Sequence, residues 1–223
     1  MQALRVWDVL VRTFHWGLVA AVLMAFYTME TQGLPFLFPV EVHAQAGYAV
    51  LGLLTFRWIW GVIGPYHARF TSFLRPPLIS LNYAKNIVKR QSAPYAGHNP
   101  LGGWMVLLLM LSLTFQAVSG LFLSDDIFFS GPLYGMLGNE FSSALVSWHH
   151  LNAQLLIVLI GLHLVAIVIH GVMGEKLVSA MFTGVKTFNQ QPVDAVSGTN
   201  KLPVVNAIIA VLTAIMVSAY FWL

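Results

Sequence analysis

The stretch Ser147-Trp148-His149-His150-Leu151-Asn152-Ala153-Gln154-Leu155-Leu156-Ile157-Val158-Leu159-Ile160-Gly161-Leu162-His163 has histidines at both ends of an otherwise apolar run. An ionisable side chain inside hydrocarbon costs free energy, so a histidine there marks a site rather than filler. Fourteen residues separate His149 from His163. At 100° and 1.5 Å per residue, the two lie within about 40° of one helix face and about 21 Å apart along the axis. One helix therefore presents two ligand positions at different depths. His150 fits worse, turned about 140° from His163, while His170 shares the face of His163 only about 10 Å away.

The solvent of that helix follows from composition. Of 223 residues, 58% are hydrophobic and only 9% are charged, against about 25% charged in a soluble domain. Five apolar runs, Val9–Met29, His43–Ile63, Leu101–Leu123, Ser147–Val172 and Pro203–Leu223, approach or exceed the ~20 residues a helix needs to cross the hydrocarbon. They lack the alternation of barrel strands, which leaves an all-α membrane protein. No small-x-small site follows the first run, so it is expected to remain as a span rather than be cleaved. The absence of cysteine excludes disulfides, thiolate metal sites, iron–sulfur ligation and covalent c-type haem.

Charge sets the threading. The eleven Lys and Arg residues fall before span one, around the loop after span two and after span four; the other two loops hold Glu30, Glu41, Asp125, Asp126 and Glu140. The positive-inside rule then puts the N-terminus in the cytoplasm and the C-terminus on the opposite side. With that threading, His43 meets His149 at the outer level, and His15 meets His163 at the inner level. Two pairs from three helices fit two bis-histidine haem irons, neutral imidazole being a standard axial ligand. Gly47, one turn from His43, leaves room for a macrocycle. Arg57, fourteen residues from His43, reaches the inner level, where its fork suits a propionate. Two histidines per level without a convergent carboxylate or thiolate make a thin zinc or copper shell, and His-Glu-x-x-His is absent. His67 and His98 read as surface residues; His170, at the end of span four, reads as surface first, with a propionate partner or a quinone contact as its alternatives.

The motif Arg12-Thr13-Phe14-His15-Trp16 resembles the opening of the bacterial cytochrome b561 and nickel–iron-hydrogenase cytochrome b family. So do His43, Gly47, Arg57-Trp58-Ile59-Trp60-Gly61, Gly97-His98-Asn99-Pro100-Leu101-Gly102-Gly103-Trp104, Trp148-His149 and Gly161-Leu162-His163. The resemblance implies a four-helix transmembrane bundle holding two b haems on His15, His43, His149 and His163. The likeness covers about residues 5–188, so residues 1–188 are expected to form the dihaem domain; a polar linker, 189–202, and an extra C-terminal transmembrane helix, 203–223, depart from the family's four-helix core, and that helix has no assigned role.

The resulting expectation is a dihaem b-type cytochrome of the bacterial inner membrane. It passes electrons between the quinone pool and a periplasmic redox protein, with a c-type cytochrome favoured and a hydrogenase-like subunit next. The acidic outer loops, with Asp125, Asp126 and Glu140, are expected to dock a basic partner. Rival readings are a self-contained quinone-coupled oxidoreductase, such as a superoxide oxidase, and a histidine-based proton or metal transporter. A homodimer is left open.

Overall fold

The computed structural model describes residues 2–30, 39–89, 91–125, 127, 129–196 and 202–222. Its elements are β1 (Gln2–Arg5), α1 (Val9–Glu30), α2 (Pro39–Ile63), a 3-10 turn (Tyr66–Ala68), α3 (Phe70–Phe73), α4 (Pro77–Val88), α5 (Pro100–Gly120), α6 (Asn139–Val172), α7 (Leu177–Thr183), β2 (Val185–Phe188) and α8 (Val204–Trp222). Among the described residues, α1, α2, α5, α6 and α8 are long and apolar enough to cross a membrane. Proline opens α2, α4 and α5, where its missing N–H costs nothing. Asp8 caps α1 by accepting the Val11 N–H at 3.0 Å, and Asn99 caps α5 by accepting the Gly102 N–H at 2.8 Å.

Two features depart from the sequence reading. The fourth span starts at Asn139, not Ser147, because buried Ser142 and Leu145 extend the helical stripe back to the positive-φ Gly138. The described fold is also not purely helical. β1 pairs antiparallel with β2, Gln2 opposite Phe188 and Arg5 opposite Val185. Two short segments from far ends of the chain satisfy each other's backbone, which no local periodicity reports.

The chain divides into two compact units. One comprises residues 1–13, 57–108 and 160–209, and contains all eleven Lys and Arg positions. The other comprises residues 14–56, 109–159 and 210–223, with five carboxylates and no Lys or Arg. They are called the basic and the acidic unit below.

In the basic unit, fully buried Trp60 donates its indole N–H to Asp8 Oδ2 at 3.2 Å, so the residue that caps α1 also anchors α2. Gly184 ends α7 at φ 80° and its carbonyl accepts the N–H groups of Val6 and Trp7. A Cβ there would lie 2.6 Å from the Trp7 carbonyl oxygen, so both conformation and space demand glycine. Asn206 on α8 donates to the Ile63 carbonyl at the end of α2 at 2.8 Å.

In the acidic unit, α8 again lies on α2. Ser218 donates to the Tyr48 carbonyl at 3.2 Å, and a Cβ on Gly52 would meet Ser218 Cβ at 2.8 Å and the Ala214 carbonyl oxygen at 2.9 Å. Small residues permit this backbone approach where water supplies no driving force. A polar knot joins α5 to α6: Ser112 donates to Asn152 Oδ1 at 2.7 Å, and the Asn152 amide donates to the Ser112 carbonyl and to Gln116 Oε1. Below that knot, Asp125 Oδ1 accepts the N–H groups of Ile127 and Phe129 and so folds its own loop. Asp126, expected to dock a partner, lies outside the described residues.

Gly52→Leu is expected to separate α8 from α2 and to lower the melting temperature in detergent, at an overpacking cost of about 1–3 kcal/mol. A Cβ on Gly171 meets nothing within 4 Å, so Gly171→Ala should leave it unchanged or raise it slightly. Thermal unfolding followed by circular dichroism checks both.

Candidate functional site

The acidic unit brings His43 and His149 together, with ring centroids 6.3 Å apart and planes steeply inclined at 70°. Each ring has its Nδ1 engaged. His43 Nδ1 lies 2.9 Å from the Ala25 carbonyl oxygen on α1, and His149 Nδ1 lies 2.9 Å from Ser119 Oγ on α5. A carbonyl oxygen only accepts, so His43 carries its proton on Nδ1, and its Nε2 is a lone pair. Two imidazoles sharing one metal need roughly 2 Å of bond and about 1.2 Å to the ring centre on each side, about 6.4 Å in total. The observed separation fits an iron between the rings. The neighbouring glycines fit a flat macrocycle as well. A Cβ on Gly47 would meet nothing within 4 Å, and one on Gly120 would meet His149 Cε1 at 3.4 Å. His150 is exposed, its ring 6.4 Å from that of His149.

Ser119, Gly120 and the Ala25 carbonyl were not singled out by sequence reasoning. Their partners stand 30 and 18 residues away on other helices, and no spacing rule links them. His15 belongs to the acidic unit, half-buried, with its ring 5.0 Å from Trp16. His163 is half-buried in the basic unit.

Arg57, also in the basic unit, is only 3% exposed. Its guanidinium sits 5.0 Å from the Phe70 ring centre and 5.8 Å from that of Phe73, and its Nη1 has no hydrogen-bond partner among the described residues. Aromatic faces soften the burial of a cation, but a buried N–H left unpaired is costly. Such a donor suits an anionic group such as a haem propionate.

Of the three histidines expected at the surface, His67 and His170 are buried and His98 is partly buried. His67 is buried, 3.8 Å from Asp194, whose carboxylate accepts the N–H groups of Ala96 at 2.5 Å and Gly97 at 2.9 Å. The His98 ring packs 4.7 Å from Trp7 and 4.9 Å from Phe73. His170 is buried between Glu175, 2.8 Å from its Nδ1, and Asn99, 3.2 Å from its Nε2. Lys186, also buried, donates to the Tyr95 carbonyl at 2.9 Å and to Glu175 Oε2 at 3.4 Å. The polar stretch before α8 thus folds back onto the loop that leads into α5.

A profile of the prokaryotic cytochrome b561 family matches residues 6–184. Among curated relatives, a protein of Rhizobium leguminosarum bv. viciae is 27% identical over 67% of this chain and 69% of its own length. One of Cupriavidus necator is 26% identical over 84% and 88%, and one of Bradyrhizobium diazoefficiens is 24% identical over 66% and 65%. Each is named "Probable Ni/Fe-hydrogenase B-type cytochrome subunit". No solved structure matches.

The ionised network carries a pH dependence. Burial pushes the His67 pKa below 6.5; Asp194 opposes the shift and Lys186 adds to it. Burial alone would raise the Glu175 carboxyl, but the His170 hydrogen bond and the Lys186 charge outweigh it and hold the pKa below 4.5. Both shifts mean that the unfolded chain binds more protons than the folded one, so stability falls on acidification. The melting temperature is expected to hold above pH 6.5, decline as the unfolded-state His67 protonates, and decline again below pH 4.5. Glu175→Gln should flatten the lower limb and His67→Gln the upper one in a pH series of thermal melts.

Proposed function

This chain belongs to the prokaryotic cytochrome b561 family, and from that premise we propose that it is a dihaem cytochrome moving electrons between membrane quinone and a redox protein. It is a multi-pass membrane b-type cytochrome of electron transport. The His43–His149 pair carries the finer reading. His43 and His149 hold one haem; His15 and His163 hold the second. Haem when bound supplies reversible one-electron storage.

The chain's own groups do the rest. The Ala25 carbonyl fixes the His43 tautomer, and Ser119, whose hydroxyl donates to the Gln116 carbonyl at 3.1 Å, accepts from His149 Nδ1–H; both orient the rings and tune imidazole basicity. Gly47 keeps the macrocycle face clear. Arg57 pairs a propionate of the second haem and stabilises the reduced state by its positive charge. The N-terminus is cytoplasmic and the acidic unit faces the periplasm of a bacterial inner membrane. The relatives' names support a hydrogenase-like subunit as the redox partner. A basic c-type cytochrome is the alternative, supported by exposed Glu41 and Glu140 at the acidic side.

The test is a reduced-minus-oxidised spectrum with haem stoichiometry on purified protein. Wild type should hold two low-spin haems per chain. His43→Ala and His149→Ala should each lose the same haem, and His15→Ala and His163→Ala the other. Full occupancy in both His149→Ala and His163→Ala overturns the ligand assignment. In a redox titration, Arg57→Leu should lower one midpoint potential and leave the other nearly unchanged. Two unchanged midpoints would remove Arg57 from the haem environment.

A further inference from the structure

We propose that His170 and Glu175 form a proton-transfer pair that carries the protons of membrane hydroquinone chemistry to water at the basic unit. The proposal rests on the quinone reading above and adds a route to it. Oxidising a hydroquinone to its quinone releases two electrons and two protons. The electrons would go to the haems the chain is proposed to hold; the protons would need a separate exit, which histidines engaged as haem ligands would not supply.

The hydrogen bonds around His170 assign its protons. Asn99 Oδ1 accepts the Gly102 N–H at 2.8 Å, which fixes the amide and turns its NH2 toward His170 Nε2 at 3.2 Å. Nε2 is therefore the acceptor. Nδ1 carries the hydrogen and donates it to Glu175 Oε1 at 2.8 Å. This tautomer can take a proton at Nε2 while releasing another from Nδ1 to the carboxylate, which passes it to water. Reversed, the same steps deliver protons to a quinone.

The two side chains differ in exposure. The His170 side chain is 9% exposed, whereas that of Glu175 is 32% exposed. Gly174, at φ 94°, turns the chain so that the Glu175 N–H donates to the His170 carbonyl at 2.9 Å, and the carboxylate returns to the ring. The groups facing the pair are Asn99, Lys186 and Tyr83. Lys186 favours the ionised carboxylate, so a transferred proton stays there only briefly. The Tyr83 hydroxyl bonds Asn99, and burial raises its pKa, so it remains protonated and does not compete as a base.

The experiment uses the full-length haem-loaded protein in liposomes, mixed with duroquinol in a stopped-flow cell with a pH-indicator dye. Glu175→Gln and His170→Gln should slow haem reduction and proton release together by about tenfold or more at pH 7, the range of lost general acid–base transfer. Haem content and midpoints should stay at wild-type values. Azide or formate should restore the rate in Glu175→Gln, and a carboxyl band should vanish from its redox-difference infrared spectrum. Wild-type rates in both variants, or a slowed Glu175→Gln that weak acids do not rescue, overturn the relay alone. Absence of duroquinol-dependent haem reduction in the wild type overturns the quinone reading, and the relay with it.

Discussion

An imidazole in hydrocarbon has two nitrogens and no water, so each must find a protein group or a metal. In the acidic unit that requirement organises four helices. His43 on α2 uses a carbonyl of α1, His149 on α6 uses the Ser119 hydroxyl of α5, and the two ring centroids come within 6.3 Å of each other. The same two bonds that satisfy the rings also set their orientation. Nearby, the Ser112–Asn152–Gln116 knot applies the same economy with neutral groups only. No Lys or Arg falls within this unit, so its polar atoms are satisfied without burying a cation.

The basic unit meets the constraint differently. Here buried charged side chains hold backbone groups of a distant loop. Asp194 clamps the backbone of Ala96 and Gly97, Lys186 reaches the Tyr95 carbonyl, and the Val193 N–H reaches the Pro94 carbonyl. Four bonds from beyond residue 185 therefore hold the loop that delivers Asn99 to its cap. Asp194, Val193 and Lys186 all lie past the family match, which ends at residue 184. The segment after that boundary is thus part of the support for the Asn99–His170–Glu175 chain. α8, past the same boundary, buttresses the helix that carries His43, Gly47 and Arg57.

What could be read from sequence was whatever depends on local period and solvent. Apolar run length located the five candidate spans to within a few residues at most ends, because helix rise and hydrocarbon thickness are fixed. The His43–His149 meeting was legible as a depth match, since topology alone sets which span ends share a level. Two histidines were misread for the converse reason. His67 sits in the loop after α2 and His170 in the last turn of α6, where exposure is the default. Their burial comes from Asp194, 127 residues from His67, and from Asn99, 71 residues from His170. The β1–β2 ladder was invisible on the same ground: neither strand has a hydrophobic alternation, and only the pairing itself stabilises them.

Charge segregation was legible too, but one of its inferences changes meaning in the structure. Asp125 reads as a docking carboxylate, yet its Oδ1 folds its own loop by accepting two backbone N–H groups. A carboxylate so engaged keeps its negative charge but has one oxygen less to offer a partner. Any encounter with a basic protein then depends more on Glu41 and Glu140, whose exposed side chains remain open to solvent. Charge at that distance steers approach and is screened beyond about 8 Å at physiological salt, whereas apolar contact holds the complex. Exposed Ile127, Met136, Leu137 and Phe141 supply such contact within the same stretch of chain. Carboxylate and apolar side chains are therefore exposed together on the stretch that holds Glu140, a composition that charge counting alone does not report.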